Sequence, residues 1–256
     1  MVDASPRPAG WVRRFHPAPD APTRLLCFPH AGGSATFFFP VSRTLTPRIE
    51  VLAIQYPGRQ DRRHEPFVDD IHQLAELVVA ELDGALDKPV TLLGHSMGAT
   101  IAFEVALLLQ RRGVPLLGLF ASGRRAPSCH RDERVHQADD AAVVAELSRV
   151  GGTYGDMLHD EEVLRMILPA VRNDYRAAET YRYRPGESLT CPVVALTGDR
   201  DPYVDLTEAQ AWERHTTGPF DLRVYPGAHF FLADHVPAVL DLVAAHVDRQ
   251  LLTCHE

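Results

Sequence analysis

The residues best placed to do chemistry lie in one short stretch, VTLLGHSMGATIAFEVA, from Val90 to Ala106. It sets Ser96 between Gly94 and Gly98, where an apolar run ends and a helix-like run begins. A serine there is either the cap of a glycine turn or a nucleophile held on a tight strand-to-helix turn. The strand-to-helix setting favours the second reading, which gives both glycines a steric reason. Side chains two residues to either side of so sharp a turn would collide with the adjoining strand or helix, and glycine removes the collision. The serine oxygen then stands above the C-terminal edge of a sheet. The backbone N–H of Met97, at the start of the next helix, is available to an oxyanion. The chemistry this predicts is acyl transfer through a covalent intermediate.

Such a serine needs a base, and the base needs an orienting acid. Of the 13 histidines, His229 is the candidate base. In LRVYPGAHFFLADHVP it follows the last expected strand, where a loop leaves the sheet and a terminal helix begins. His235 competes, but Asp234-His235-Val236-Pro237 reads as the start of that helix. The acid is expected from VVALTGDRDP, which offers Asp199 and Asp201 in the loop after another apolar run. Spacing does not choose between them, and the other is a turn residue or helix cap. A second oxyanion donor is expected from LLCFPHAGGSATFF, where His30-Ala31-Gly32-Gly33 resembles the glycine-rich loops that face such serines. The Ala31 N–H is the candidate; the alternative is that these glycines only turn the chain into the next helix. The order Ser, Asp, His along the chain is that of α/β-hydrolases and differs from the trypsin-like and subtilisin-like orders.

Bringing these residues together requires a mainly parallel sheet. Strands are predicted at Arg24 to Phe28, Glu50 to Gln55, Val90 to Leu93, Leu116 to Ala121, Val193 to Thr197 and Leu222 to Tyr225. Between the second and third, Ile71, Leu74, Leu77, Val78 and Leu82 recur at helical spacing behind Asp69 or Asp70 as a cap. That is the crossover helix that neighbouring parallel strands need. From about Arg124 to Pro185 the alternation stops, leaving charged helical segments, DDAAVVAELSRV and DEEVLRMILPAVRNDYRAAETYRYRP. An insertion of this length reads as a helical lid, or else as a helical layer that only adds stability. Its apolar positions Leu164, Met166, Ile167 and Leu168 are expected to pack on a core rather than line a chamber. The expectation is thus a single α/β-hydrolase domain over residues 1–256 with a lid at about 124–185.

With 256 residues, 45% of them hydrophobic, the chain can bury a full core. Its net charge of -8 argues against a general nucleic-acid binder, which needs a basic surface. No run approaches the roughly 18 apolar residues of a membrane span, and the first residues hold no apolar leader. Cys27, Cys129, Cys191 and Cys254 are scattered, without the spacing of a zinc site or disulfide framework. A cytoplasmic protein is expected.

Taken together, RLLCFPHAGGSA, IQYPGRQDR, LLGHSMGA, TGDRDP and PGAHFFL span most of the chain. With these motifs it resembles the type II thioesterases that accompany polyketide and nonribosomal peptide synthetases. The resemblance implies that the acid is the second aspartate of the GDxDP loop, Asp201, beside Ser96 and His229, with a helical lid over the site. It also implies an editing activity, hydrolysis of stalled or wrong acyl groups from the phosphopantetheine arm of an acyl or peptidyl carrier protein, with no metal or redox cofactor. Because the chain is acidic and carrier proteins usually are too, attraction between them must be local. The arginines of YPGRQDRR, Arg59 to Arg63, and of GRRAPSCHRDER, including Arg124 and Arg125, are candidates to border the pantetheine entrance. A general carboxylesterase or lipase would share the triad. A malonyl-type acyltransferase also uses a GHSxG serine and a histidine, but it lacks this chain order and does not need the aspartate. A non-catalytic binding protein on this fold is disfavoured because all three positions are filled.

Overall fold

The apolar runs become strands buried on both faces because helices cover the sheet on either side. The computed structural model describes residues 10–151, 158 and 160–253. Its strands are β1 (Val12–Arg13), β2 (Arg24–Phe28), β3 (Glu50–Ile54), β4 (Val90–His95), β5 (Leu116–Ser122), β6 (Val193–Gly198) and β7 (Phe220–Tyr225). They form one sheet in the order β1-β3-β2-β4-β5-β6-β7. Strands β2 to β7 are parallel, and β1 pairs antiparallel with β3, Val12 opposite Ile54. Every expected strand is present, its ends shifted by two residues at most. The sequence did not signal β1. Its two residues carry no alternation, and it is held instead by backbone pairing such as Gln55 N–H to the Trp11 carbonyl at 2.7 Å.

The helices are α1 (Phe39–Leu45), α2 (Ile71–Glu81), α3 (Met97–Arg111), α4 (Asp140–Val150), α5 (Glu161–Thr180), α6 (Leu206–Gln210), α7 (Phe231–Asp234) and α8 (Val236–Thr253). Helix α2 starts where expected, with the Asp70 carboxylate accepting the Gln73 N–H at 2.8 Å. The two faces of the sheet follow the two-residue period of a strand. On β2, Leu26 and Phe28 join the layer holding Val78 of α2 and Phe103 of α3. Leu25 and Cys27 join the opposite layer, with Val41 of α1 and Val243 of α8. Between β5 and β6, α4 and α5 share a third cluster built on Val143, Leu147, Leu158, Leu168 and Val171. Leu164 and Ile167 pack against it, as expected, but Met166 is 67% exposed. Within the expected lid, residues 152–157 and 159 lie outside the described residues, as does Cys254. Cys27, Cys129 and Cys191 are free thiols. Among the described residues no helix is long and apolar enough to cross a membrane.

Strand order places the site. From β2 the chain crosses to β3 on one side, and later returns to β4 on the other. The loops leaving β2 and β4 therefore diverge, opening a crevice at the C-terminal ends of the two strands. Close contact between these loops depends on glycine. A Cβ on Gly98 would lie 2.0 Å from the Phe28 carbonyl oxygen, and one on Gly94 would lie 2.2 Å from the Gly98 oxygen. Gly98→Ala is accordingly expected to destabilise the fold by more than about 3 kcal/mol, since the obstacle is backbone that cannot move aside. Gly186→Ala, where a Cβ meets open space, should stay within about 0.5 kcal/mol. Urea unfolding of the two variants checks this, and equal midpoints would contradict it.

Candidate active site

Ser96 joins β4 to α3 with φ 54° and ψ -122°. An L residue adopts that backbone only at a cost of about 1–3 kcal/mol, so the surroundings must enforce it. They do so through the two glycine contacts and a bond from the Ser96 N–H to the Ser122 carbonyl of β5, at 2.8 Å. Ser96 is half-buried at the crevice. Met97 opens α3, so its N–H belongs to the first turn, where no intrahelical acceptor exists.

His229 and Asp201 are brought together although 28 positions separate them. The His229 Nδ1 lies 2.9 Å from Asp201 Oδ2, with the acid's side chain fully buried. The other acid oxygen, Oδ1, accepts the Tyr203 N–H at 2.9 Å. With Nδ1–H donating to the carboxylate, Nε2 keeps the lone pair, the tautomer a general base needs. Asp199 has a different task. Its Oδ1 accepts the Gly227 N–H at 2.8 Å, while its own N–H donates to the Tyr225 carbonyl at 2.8 Å. Asp199 therefore ties the histidine loop to the acid loop. Gly198 permits the approach, since a Cβ there would lie 2.5 Å from the Ala228 and Gly227 oxygens. His235 stays off the site, bonding the Pro226 carbonyl through Nε2 at 2.8 Å.

Opposite the serine turn, His30 to Gly33 form a β-turn closed by the Gly33 N–H to the His30 carbonyl at 2.9 Å. Gly32 sits at φ 73°, the third-position conformation that a type II turn reserves for glycine. Ala31 thereby lines the same cavity as Ser96, Met97 and His229. The expected nucleophile, base and both oxyanion donors thus border one space, with Asp201 directly behind the base. Leu147 and Val150 of α4 and Tyr175 and Ala178 of α5 close its far side.

Charge in this cavity is tightly managed. His95 is fully buried and its ring lies 5.1 Å from that of His229. Burial, then the neighbouring His229 and His30, hold its pKa well below the usual imidazole value. His30 is lowered to about 3, chiefly by burial and then by His229 and Arg59. Both rings are neutral in the folded chain, and His229 Nδ1 faces the Asp201 carboxylate. Of the arginines that were candidates to border the pantetheine entrance, Arg59, Arg62 and Arg125 are engaged inside. Arg59 pairs with Asp174 and Arg62 with Glu65, both guanidiniums being buried. Arg125 is buried against Glu133. Arg124 does reach the cavity, donating from Nε to Thr100 Oγ1 at 3.1 Å and from one terminal nitrogen to the Ala178 carbonyl at 3.2 Å. It forms no ion pair among the described residues, and burial followed by the Arg125 charge lowers its pKa to about 10.

Sequence reasoning missed Tyr203, whose ring stands edge-on to His229 with centroids 5.0 Å apart and whose hydroxyl donates to Glu146 of α4. It also missed Asp174. Neither stands in a motif with chemistry of its own, and only the folded chain shows what each one touches.

A family model for the thioesterase domain matches residues 23–247. The chain is 52% identical over 239 residues to thioesterase PikA5 of Streptomyces venezuelae, covering 93% of this chain and 85% of that protein. It is 51% identical over 251 residues to a probable cadicidin biosynthesis thioesterase of Streptomyces griseus, covering 97% and 70% respectively. Among solved structures, the type II thioesterase BorB from the borrelidin biosynthetic cluster matches with a TM-score of 0.87 at 52% identity, over 92% of this chain and 97% of that one. YbtT, a type II thioesterase from the yersiniabactin pathway, matches with a TM-score of 0.82 at 31% identity, over 94% and 99%.

The buried histidines set a pH dependence of stability. His30 and His95 stay neutral in the folded chain but take up protons once unfolded, below roughly pH 6.5. Lowering the pH through that value therefore favours unfolding, by about 1 kcal/mol for each histidine between pH 6 and 5. Urea unfolding at these two pH values should show the loss, and His95→Asn, which cannot protonate, should lose less stability across the interval. An identical loss in wild type and variant would contradict the assignment.

Proposed function

This chain belongs to the thioesterase family, alongside the type II thioesterases of polyketide and nonribosomal peptide clusters, and from that premise we propose that it edits carrier-bound intermediates. The substrate is a stalled or aberrant acyl group on the phosphopantetheine arm of an acyl or peptidyl carrier protein. The observation that carries the mechanism is the 2.9 Å contact between His229 Nδ1 and Asp201 Oδ2, made at the cavity that also holds Ser96.

In this reading His229 Nε2 removes the Ser96 proton as the oxygen attacks the thioester carbonyl. The C=O bond becomes an oxyanion, received by the N–H groups of Ala31 and Met97. The pantetheine thiolate then leaves and takes the proton from His229. Water, deprotonated by the same imidazole, attacks the acyl-serine; the acyl–Oγ bond breaks, Ser96 Oγ takes the proton back from His229, and the acid is released. Asp201 fixes the tautomer throughout and stabilises the imidazolium. The pantetheine arm enters as part of the substrate, and every proton in the cycle is carried by His229, so the proposal calls on no cofactor. The Leu147, Val150 and Ala178 side of the cavity offers an apolar surface for the acyl chain.

Ser96→Ala is expected to abolish hydrolysis with unfolding behaviour unchanged. Asp201→Asn should lower kcat by on the order of 10³- to 10⁴-fold through the wrong tautomer. Asp199→Asn, which keeps an oxygen for Gly227, should cost less than about tenfold. Equal losses at the two aspartates would refute the assignment. One acyl group presented as a carrier-protein thioester, a coenzyme A thioester and an oxoester tests the substrate. The highest kcat/KM is expected on the carrier, and equal values on the oxoester would favour a general carboxylesterase.

A further inference from the structure

The loop that carries Ala31 holds two consecutive glycines and would be mobile without help. Its backbone is gripped from outside at several positions between Pro29 and Ala35. The Tyr56 hydroxyl donates to the Pro29 carbonyl at 3.3 Å. The Gly32 N–H donates to Asp174 Oδ2 at 2.7 Å. The Gly33 carbonyl accepts from an Arg59 terminal nitrogen at 3.1 Å. The Ala35 N–H donates to Gln55 Oε1 at 2.9 Å. Ala31 sits in the middle of these restraints. Gln55, Tyr56 and Arg59 all come from the QYPGR stretch after β3, while Asp174 comes from α5.

At the centre is a buried ion pair. Arg59 meets Asp174 through both terminal nitrogens, at 2.6 and 2.9 Å, with side-chain exposures of 7% and 2%. Asn173 adds a weaker bond to Asp174 Oδ1 at 3.3 Å. Burying such a pair contributes little net stability, because desolvation offsets the attraction and apolar replacements are often as stable. The pair does something an apolar pair cannot. Its carboxylate takes the turn's central N–H, and its guanidinium takes the next carbonyl, with the planar fork setting both directions at once.

We propose that Arg59 and Asp174 are positioning residues that hold the Ala31 N–H where the oxyanion forms, so that lid helix α5 is a working part of the oxyanion hole. This rests on the reading of Ala31 as a donor in thioester hydrolysis. An oxyanion hole works because its donors are already fixed when charge develops. Here the fixing group arrives from the inserted helical segment, so any displacement of α5 withdraws the acceptor from Gly32 and loosens the donor next to it. Occupancy of the lid and competence of the site are thereby coupled.

The test is the double variant Arg59→Met/Asp174→Leu, which removes both grips without leaving a lone buried charge. On a small acyl thioester its kcat should fall about 10²-fold, the scale of one lost oxyanion donor, with KM within about threefold. Affinity for a trifluoromethyl ketone, which forms a tetrahedral adduct with the serine, should weaken by the same factor. The acid limb of the pH profile should not move, because His229 and Asp201 are untouched. A folded double variant whose kcat and ketone affinity both stay within about threefold of wild type overturns the proposal, whatever its melting temperature. Should that variant not fold, Arg59→Lys carries the same test: it keeps the charge but loses the fork, and kcat and ketone affinity should drop together by about tenfold. Unchanged values there overturn the proposal equally. If Ser96→Ala retained turnover, the functional reading itself would fail; if Ser96 is essential and the double variant is as fast as wild type, only the present inference fails.

Discussion

Gly98 packs its α-carbon against the end of β2, where an added methyl would come within 2.0 Å of the Phe28 oxygen and 2.5 Å of the Pro29 oxygen. That contact sets the separation between the turn after β4 and the loop after β2. Met97 lies one residue before Gly98, and Ala31 lies two residues after Pro29. The two backbone N–H groups proposed to receive the oxyanion therefore owe their spacing to a missing side chain. That closeness, with the Gly94 contact and the bond from the Ser96 N–H to the Ser122 carbonyl, holds Ser96 at its positive φ. Strain at the serine and spacing of the donors meet at this one turn.

Around this point the remaining groups are held by bonds between loops rather than by any single element. Asp199 ties the loop of His229 to that of Asp201. Tyr203 satisfies the second oxygen of Asp201 with its backbone and reaches Glu146 of α4 with its hydroxyl. Asp174 of α5 holds Gly32. Both helices of the inserted segment thus touch the loops that carry the proposed chemistry, one behind the histidine and one behind the oxyanion loop. The segment is therefore tied to the site by specific polar contacts as well as closing the apolar side of the cavity.

Much of this was legible in the sequence, for identifiable reasons. Short apolar runs ending in glycine or charge marked the parallel strands, because a strand covered on both faces must be apolar throughout. Gly94, Ser96 and Gly98 announced the turn, because a side chain at Gly98 would strike the end of β2 and one at Gly94 would strike the start of α3. His229 could be preferred to His235 from its place after the last strand. Asp199 and Asp201 could not be separated by spacing, and the difference between them lies in which backbone N–H or imidazole each one meets after folding. The partners of the arginines were hidden for a related reason. YPGRQDRR was a candidate to border the pantetheine entrance, and its spacing did not show that Arg59 and Arg62 would be buried, because their partners Asp174 and the Gln55 carbonyl are supplied by the fold. β1 was missed because two residues carry no periodicity.

The central claim is that Ser96 carries the acyl group between the carrier thiol and water. Rapid-quench mixing with an acyl carrier protein thioester, followed by mass spectrometry of the peptide containing Ser96, tests it most directly. The acyl mass should appear on Ser96 on the millisecond to second scale, before the free acid accumulates, and should decay as the acid is released. Release of the acid with Ser96 unmodified at every time point, or with the acyl group on another residue, would contradict the account.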